Sequence, residues 1–195
     1  MKTSLSSSVL DFAKKLLATL AVTLLIVQCV QASTPTSQDN QNWNGWPTVG
    51  TSVLSWLFFD IYQSELKTPD GFYQESSDVT PHPMALSIHY LRDIPKDKLL
   101  EATHDQWIHL GYGQKQADEW IGKLEVIYPD IQQGDSLVYV TDGKAGQFIY
   151  YSDKAQPQVV GNINSETLND AFLSIWLSPD TEYPKHRAQL LGQSR

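Results

Sequence analysis

The chain has 195 residues and a net charge of −8, with 14 lysines and arginines against 22 aspartates and glutamates. Affinity for a phosphate backbone comes from clustered basic side chains, so this acidic composition excludes a role in nucleic-acid binding. A single cysteine also excludes an intramolecular disulfide framework.

Residues 1–32 have the pattern of a secretory signal peptide. A lysine-containing start leads into an apolar run at 16–27, and Val30 and Ala32 occupy the two positions that a signal peptidase reads. The apolar run is shorter than the roughly 20 residues that a spanning helix needs. We therefore expect cleavage after Ala32 and a periplasmic protein with no stable membrane span.

Cys29 raises the alternative of a lipoprotein anchor, but Gln28 precedes it where such anchors require a small residue. Cleavage after Ala32 removes Cys29, together with three lysines and one aspartate, and so takes the net charge from −8 to −10. The mature protein is then expected to contain no thiol nucleophile and no cysteine metal site.

The mature chain divides into two parts. Residues 33–45 are rich in serine, threonine, glutamine and asparagine and offer almost nothing to bury, which predicts a flexible lead-in. Residues 46–192 contain no internal repeat and have the size of one domain.

The first half of this domain favours strands. Both alternating sets of residues within 53–66 are apolar, which predicts one strand covered on both faces near the centre of a sheet, with Asp60 as its anomaly. A second strand is predicted over 84–91. Two more strands, at 136–141 and 147–151, flank an Asp-Gly turn, and a short strand is expected near 159–160.

Helices are predicted on both sides of that hairpin. One begins near Pro95 and carries an apolar stripe through Trp107, and a second ends before Pro129. Ser165 is suited to cap a third, and a short fourth is expected over 184–191. Strands and helices without strict alternation indicate an α+β fold with an antiparallel sheet.

In this order the sequence resembles the bacterial chalcone isomerase-like family. The residues that carry the resemblance are Gly50, Leu54 to Phe59, Asp60, Ile61, Tyr62, Leu66, Tyr90, Gly134, Asp135, Ile175, Trp176, Leu177, Leu190, Leu191 and Gly192. The resemblance implies an open-faced sandwich, in which helices pack on one face of a large antiparallel sheet and a ligand cleft lies between the two layers.

The resemblance also bears on catalysis. The isomerases of this family place an arginine on the first core strand, just after a glycine turn, where it stabilises the negative charge that develops on an enolate. Here Val53 stands at about that position, and 47–66 contains no lysine or arginine. A shared fold does not restore the missing charge. We therefore assign no catalytic residue.

Four residues are candidates for ligand binding: Asp60, Tyr62, Tyr90 and Trp56. A carboxylate in a buried strand must be paired with a cation, hydrogen-bonded or neutral. Asp60 is therefore expected either to bind a ligand or to form hydrogen bonds within the core. The two tyrosines offer hydroxyls to a cleft, with plain core packing as their alternative. Core packing is also the alternative for Trp56, and it is the expectation for Trp176.

No motif predicts a metal or a cofactor. His82, His89, His104 and His109 are not spaced as metal ligands usually are, and neither a nucleophile-elbow serine nor a phosphate-binding glycine loop occurs.

Three functions stay open. The first is a binding module for a small apolar or amphipathic, fatty-acid-like molecule. The second is a periplasmic isomerase or lyase that uses Asp60 and a tyrosine, and the third is a structural member of an envelope complex whose protein partner the sequence does not name.

Overall fold

The structure is a computed structural model that describes residues 39–56, 58–152 and 154–193, and for residues 39–41 and Trp56 it describes only the backbone. The predicted signal peptide and the first part of the predicted lead-in lie outside these residues. Within the described ranges, no helix is both long and apolar enough to cross a membrane.

Six strands form one antiparallel sheet in which neighbours in space are also neighbours in the chain. They are β1 (Thr48–Trp56), β2 (Phe59–Lys67), β3 (Met84–Tyr90), β4 (Ser136–Thr141), β5 (Gly146–Ser152) and β6 (Ala155–Ile163). The predicted strand near 159–160 is thus longer than expected, whereas the hairpin of β4 and β5 is confirmed.

The described residues also form four α-helices: α1 (Lys96–His109), α2 (Gln114–Leu124), α3 (Glu166–Leu177) and α4 (Pro184–Leu190). Their apolar faces join one face of the sheet in a single core, where Trp107, Tyr139 and Phe172 are fully buried. As predicted, Ser165 caps α3, because its Oγ accepts a hydrogen bond from the Leu168 amide. The architecture is the expected α+β open-faced sandwich.

The single strand predicted over 53–66 is wrong. The chain reverses between Trp56 and Phe59, so that β1 and β2 form a hairpin and β1 lies at the edge of the sheet. Val53 is 44% exposed and Phe58 is 96% exposed. The reversal contains none of the glycine, proline, asparagine or aspartate residues that mark most turns, which is why the pattern looked like one continuous buried strand.

The lead-in predicted over 33–45 is partly packed. Residues Asp39–Gly45 form a 3-10 helix that is kinked at Asn42, and Trp43 is only 7% exposed. Trp43 joins a second apolar cluster with Val138 and Val140, which alternate along β4 with residues of the main core. The 3-10 helix therefore packs on the face of the sheet opposite the four α-helices.

Gly50 allows α4 to pack closely against the edge strand β1. A Cβ atom at this position would lie 2.2 Å from the carbonyl oxygen of Gln189 and 2.6 Å from that of Leu190. Any side chain here would force the end of α4 away from β1, so the close approach requires glycine.

Candidate ligand-binding site

A cavity of about 270 Å³ lies between the sheet and the helices. Most of its wall is apolar, and the polar exceptions are tyrosine, threonine, glutamine and lysine side chains. The lining residues are Leu54, Ile61, Tyr62, Ile88, Tyr90, Ile94, Lys98, Leu99, Ala102, Thr103, Gln106, Tyr128, Leu137, Phe172, Ile175, Trp176 and Tyr183. An apolar wall with a few polar groups is typical of a site that binds a small molecule.

Tyr62 and Tyr90, both predicted site residues, line this cavity together. They are partners on β2 and β3, and their rings meet edge to face with centroids 6.1 Å apart. The Tyr62 hydroxyl accepts a 2.9 Å hydrogen bond from Nε1 of Trp176, which leaves its own proton available to donate. Among the described residues, the Tyr90 hydroxyl makes no hydrogen bond.

Burial raises the pKa of Tyr62 and of Tyr90 well above the ordinary value for a tyrosine. Burial also raises the pKa of Tyr128 on the same wall. These hydroxyls are therefore neutral at physiological pH. They can donate hydrogen bonds to an occupant of the cavity, but they are poorly suited to remove a proton from it.

Gln106 is a polar residue of the wall with one buried atom that has no hydrogen-bond partner among the described residues. Its Nε2 donates a 2.6 Å hydrogen bond to the Glu182 carboxylate, while its Oε1 is buried and has no hydrogen-bond partner among the described residues. We did not predict this residue from the sequence. A signal was present, because Gln106 follows Leu99 and Thr103 at helical spacing and is thus a polar residue beside the buried stripe of α1.

Lys98 is the basic residue among the described residues of the wall. Its side chain is 61% exposed, and its Nζ donates a 2.5 Å hydrogen bond to Glu101, which raises the pKa of the lysine. Lys98 therefore lies at the mouth of the cavity with its charge already paired. Lys98 is not among the site residues predicted from the sequence.

Asp60 is not the buried carboxylate that we predicted. It is exposed at the start of β2, where the Ser55 hydroxyl donates a 2.5 Å hydrogen bond to it. It borders a separate surface depression with Arg92 and Asp93, and it does not line the cavity. The burial expectation failed because it depended on one continuous strand, whereas Asp60 belongs to the end of a hairpin.

The two tryptophan predictions fare differently. The side chain of Trp56 lies outside the part of the molecule that the structure describes, so its predicted role stays a prediction. Trp176 is buried in the core, as expected, but it also lines the cavity and packs against Phe172 with ring centroids 5.2 Å apart.

His186, a histidine that the sequence analysis left without a role, is buried behind Tyr62. Its Nδ1 lies 2.9 Å from Ser52 Oγ and its Nε2 lies 2.8 Å from Ser64 Oγ. Ser52 donates to Gln189 Oε1 at 2.6 Å, so its oxygen is left to accept from Nδ1. Burial lowers the pKa of His186 to about 4, which keeps the ring neutral. The cluster attaches α4 to the first two strands.

Of the other histidines, His104 lies near two carboxylates. Its Nε2 is 3.1 Å from Asp118 Oδ1 and its Nδ1 is 3.7 Å from Asp105 Oδ1. Over the described ranges, no group of three or more histidine, cysteine, aspartate or glutamate side chains is placed to hold a metal ion.

The sequence is similar to that of known proteins. Residues 47–192 match a family model described as chalcone isomerase-like. The chain belongs to this family. A Haemophilus influenzae protein, described as an uncharacterized protein, is 25% identical over 150 residues, which cover 77% of this chain and 70% of that protein.

The resemblance implied that an isomerase of this family would carry its catalytic arginine on the first core strand, which is β1 in this structure. In this chalcone isomerase-like domain, Leu54 lines the cavity and Ser52 contacts His186 beneath the helices. Val53, which we had placed at the arginine position, pairs with the exposed Gln63 and is itself exposed. Neither face of β1 presents a basic side chain.

Proposed function

We propose that this domain is a non-catalytic binding module that holds a small apolar or amphipathic molecule, with a fatty-acid-like chain, between its sheet and its helices. The observation that carries the proposal is the cavity of about 270 Å³ with a mostly apolar wall. Its size is slightly below the usual range of about 300–1,000 Å³ for ligand pockets. A compact occupant is therefore expected.

The alternative of an isomerase or lyase that uses Asp60 and a tyrosine has less support. Asp60 and the two cavity tyrosines border different depressions. The tyrosines are neutral and β1 carries no cation, so neither the tyrosines nor β1 supplies a base or a fixed positive charge for an enolate. Lys98, at the mouth, is already paired with Glu101.

The signal-peptide pattern at 1–32 supports a periplasmic location as part of this proposal. In that compartment a module of this kind would shield an apolar molecule from water, because burial of apolar surface is the main driving force for its capture.

Native mass spectrometry of the mature protein, purified from its own periplasm, tests the proposal. We expect a fraction of the protein to carry one small molecule. Leu99→Trp should abolish this mass increment by filling the cavity, whereas Ile108→Trp, on the same helix but outside the cavity wall, should retain it. An increment that Leu99→Trp leaves unchanged would contradict binding in the cavity.

A second candidate, membership of an envelope complex, is favoured by the tip of the first hairpin. Phe58 is 96% exposed and Phe59 is 52% exposed, which is unusual for neighbouring aromatic side chains. The same spectra test this function. A bound protein that is retained by wild type and lost from Phe58→Ser would support it, and wild-type protein that is monomeric throughout would count against it.

A further inference from the structure

The tip of the first hairpin exposes two neighbouring aromatic side chains. Phe58 is 96% exposed and Phe59 is 52% exposed, and together they offer roughly 300 Å² of surface, at about 200 Å² for a fully exposed phenylalanine. A specific protein interface buries about 800 Å² on each partner, so these two rings are too small to form one by themselves. Apolar surface of this size can enter a bilayer, because the hydrophobic effect is non-directional and needs no matching partner surface.

A cation lies beside this aromatic pair. The guanidinium carbon Cζ of the exposed Arg92 lies 4.5 Å from the centroid of the Phe59 ring, and Arg92 forms no ion pair with another described residue. The planar guanidinium group matches the geometry of a phosphate, to which it can donate two parallel hydrogen bonds. Arg92 is therefore suited to contact the phosphate groups of lipid heads while the rings enter the apolar layer beneath them.

Two carboxylates limit the electrostatic attraction. Asp60 and Asp93 border the same surface depression as Arg92. Each already accepts a hydrogen bond within the protein, Asp60 from Ser55 Oγ at 2.5 Å and Asp93 from the Gln133 amide at 2.8 Å. The depression has no excess of positive charge, so burial of the two rings must supply most of the binding free energy.

The hairpin tip lies next to the cavity between the sheet and the helices. On β2, Phe59 borders the depression and Ile61 lines the cavity. At the end of β3, Tyr90 lines the cavity and the next residue, Leu91, borders the depression. An apolar molecule collects in a membrane rather than in water, so a protein that holds such a molecule is expected to receive it there. The adjacency of tip and cavity therefore favours a bilayer over a protein as the partner of the tip.

We propose that Phe58 and Phe59 insert into the surface of a phospholipid bilayer, with Arg92 against the lipid phosphates. Docking in this way brings the cavity to the membrane surface. The choice of a bilayer over a protein partner rests on the proposed binding function, whereas the exposed aromatic pair and its neighbouring cation are independent of that function.

Flotation of the mature protein with vesicles of phosphatidylethanolamine and phosphatidylglycerol tests the proposal. We expect wild type to float with the vesicles and Phe58→Ser to bind them at least about tenfold more weakly, on the scale of one buried phenylalanine side chain. Phe72→Ser is the matched control, because Phe72 is 73% exposed but lies beyond Lys67, at the opposite end of β2 from Phe59. This variant should bind like wild type.

Both substitutions change exposed side chains, so thermal melts should give midpoints close to that of wild type. Wild type that does not float, or equal flotation of wild type and Phe58→Ser, would overturn the docking proposal. Equal losses in Phe58→Ser and Phe72→Ser would also overturn it, because they would indicate general adhesion of exposed rings. A protein that binds wild type without vesicles and is lost from Phe58→Ser would replace the bilayer by a protein partner.

Calorimetric titration with octan-1-ol, a small amphipathic probe of the cavity, separates docking from the proposed binding function. Phe58 does not line the cavity, so Phe58→Ser and wild type should bind octan-1-ol equally. Wild type that binds octan-1-ol but does not float would overturn the docking proposal alone. Wild type that floats but does not bind octan-1-ol would support docking and count against binding in the cavity.

Discussion

Nε1 of Trp176 donates a 2.9 Å hydrogen bond to the hydroxyl of Tyr62 and so joins helix α3 to strand β2 across the cavity wall. Both side chains line the cavity, and the Tyr62 ring also contacts His186 edge to face with ring centroids 5.7 Å apart. One tyrosine thus connects the cavity, the third helix and the buried cluster that anchors α4.

Replacement of Tyr62 by phenylalanine should destabilise the domain. The ring is retained, but the buried indole N–H of Trp176 loses its acceptor, which lowers the free energy of unfolding by about 1–3 kcal/mol. Urea denaturation measures this loss. The control is Tyr112→Phe, since the Tyr112 hydroxyl makes only a long, 3.4 Å contact with Ser174. If the two variants lose the same stability, the Trp176–Tyr62 bond does not have the structural role assigned to it.

The buried His186 predicts a dependence of stability on pH. Burial lowers its pKa in the folded protein from 6.5 to about 4. Between these two values the unfolded chain binds a proton that the folded protein does not. The contribution of His186 to stability is therefore present above pH 6.5 and is lost as the pH falls towards 4, by at most about 1.4 kcal/mol per pH unit.

Urea denaturation of wild type and of His186→Gln at pH 7.5 and pH 5 isolates this contribution, because the carboxylates common to both proteins cancel in the comparison. The stability difference between the two pH values should be smaller in the variant. His109→Gln, at an exposed position in the last turn of α1, should keep the wild-type difference. A His186→Gln protein with the full wild-type pH dependence would show that the ring is not held neutral by burial.

The sequence was sufficient to predict most of the fold because most elements obey simple local rules. The α1 stripe through Trp107, the cap at Ser165 and the Asp142-Gly143 turn all occur where predicted. In that turn Oδ1 of Asp142 accepts from two following backbone amides, at 2.8 and 2.9 Å, which is typical turn chemistry. Residues that satisfy their own backbone locally can be recognised without tertiary information.

The first hairpin and part of the site depend on tertiary contacts. The reversal before Phe59 contains no turn-forming residue, so the prediction merged two strands and buried Asp60. Tyr62 and Tyr90 were predicted as hydroxyl-bearing residues of apolar strands, and the pairing of β2 with β3 places both in the cavity wall. Gln106 was not predicted because the orientation of its side-chain amide depends on a hydrogen bond to Glu182, which lies 76 residues later in the chain.

We expect the purified domain not to accelerate the cyclisation of a chalcone above the rate in buffer. The reason is the absence of a basic residue on β1, whose cavity-facing position is Leu54. The absorbance of the chalcone, followed at several substrate concentrations, measures the rate. Saturable turnover by wild type would contradict the non-catalytic interpretation, and its loss in Lys98→Gln would then identify Lys98 as the charge responsible.

Export should remove the first 32 residues. Amino-terminal sequencing of the protein from the periplasmic fraction should begin at Ser33. Substitution of Ala32 by arginine should cause the precursor to accumulate, because a large charged side chain does not fit the cleavage site. A mature protein that begins at Met1 or at an acylated Cys29 would contradict the predicted cleavage.

Binding within the cavity between sheet and helices is the central claim, and calorimetric titration of octan-1-ol into wild type, Leu99→Trp and Ile108→Trp tests it most directly. Leu99 lines the cavity and Ile108 does not, although both lie on α1. We predict saturable one-to-one binding to wild type and Ile108→Trp, with binding to folded Leu99→Trp at least tenfold weaker. Equal binding by all three proteins would place the ligand elsewhere and contradict the claim.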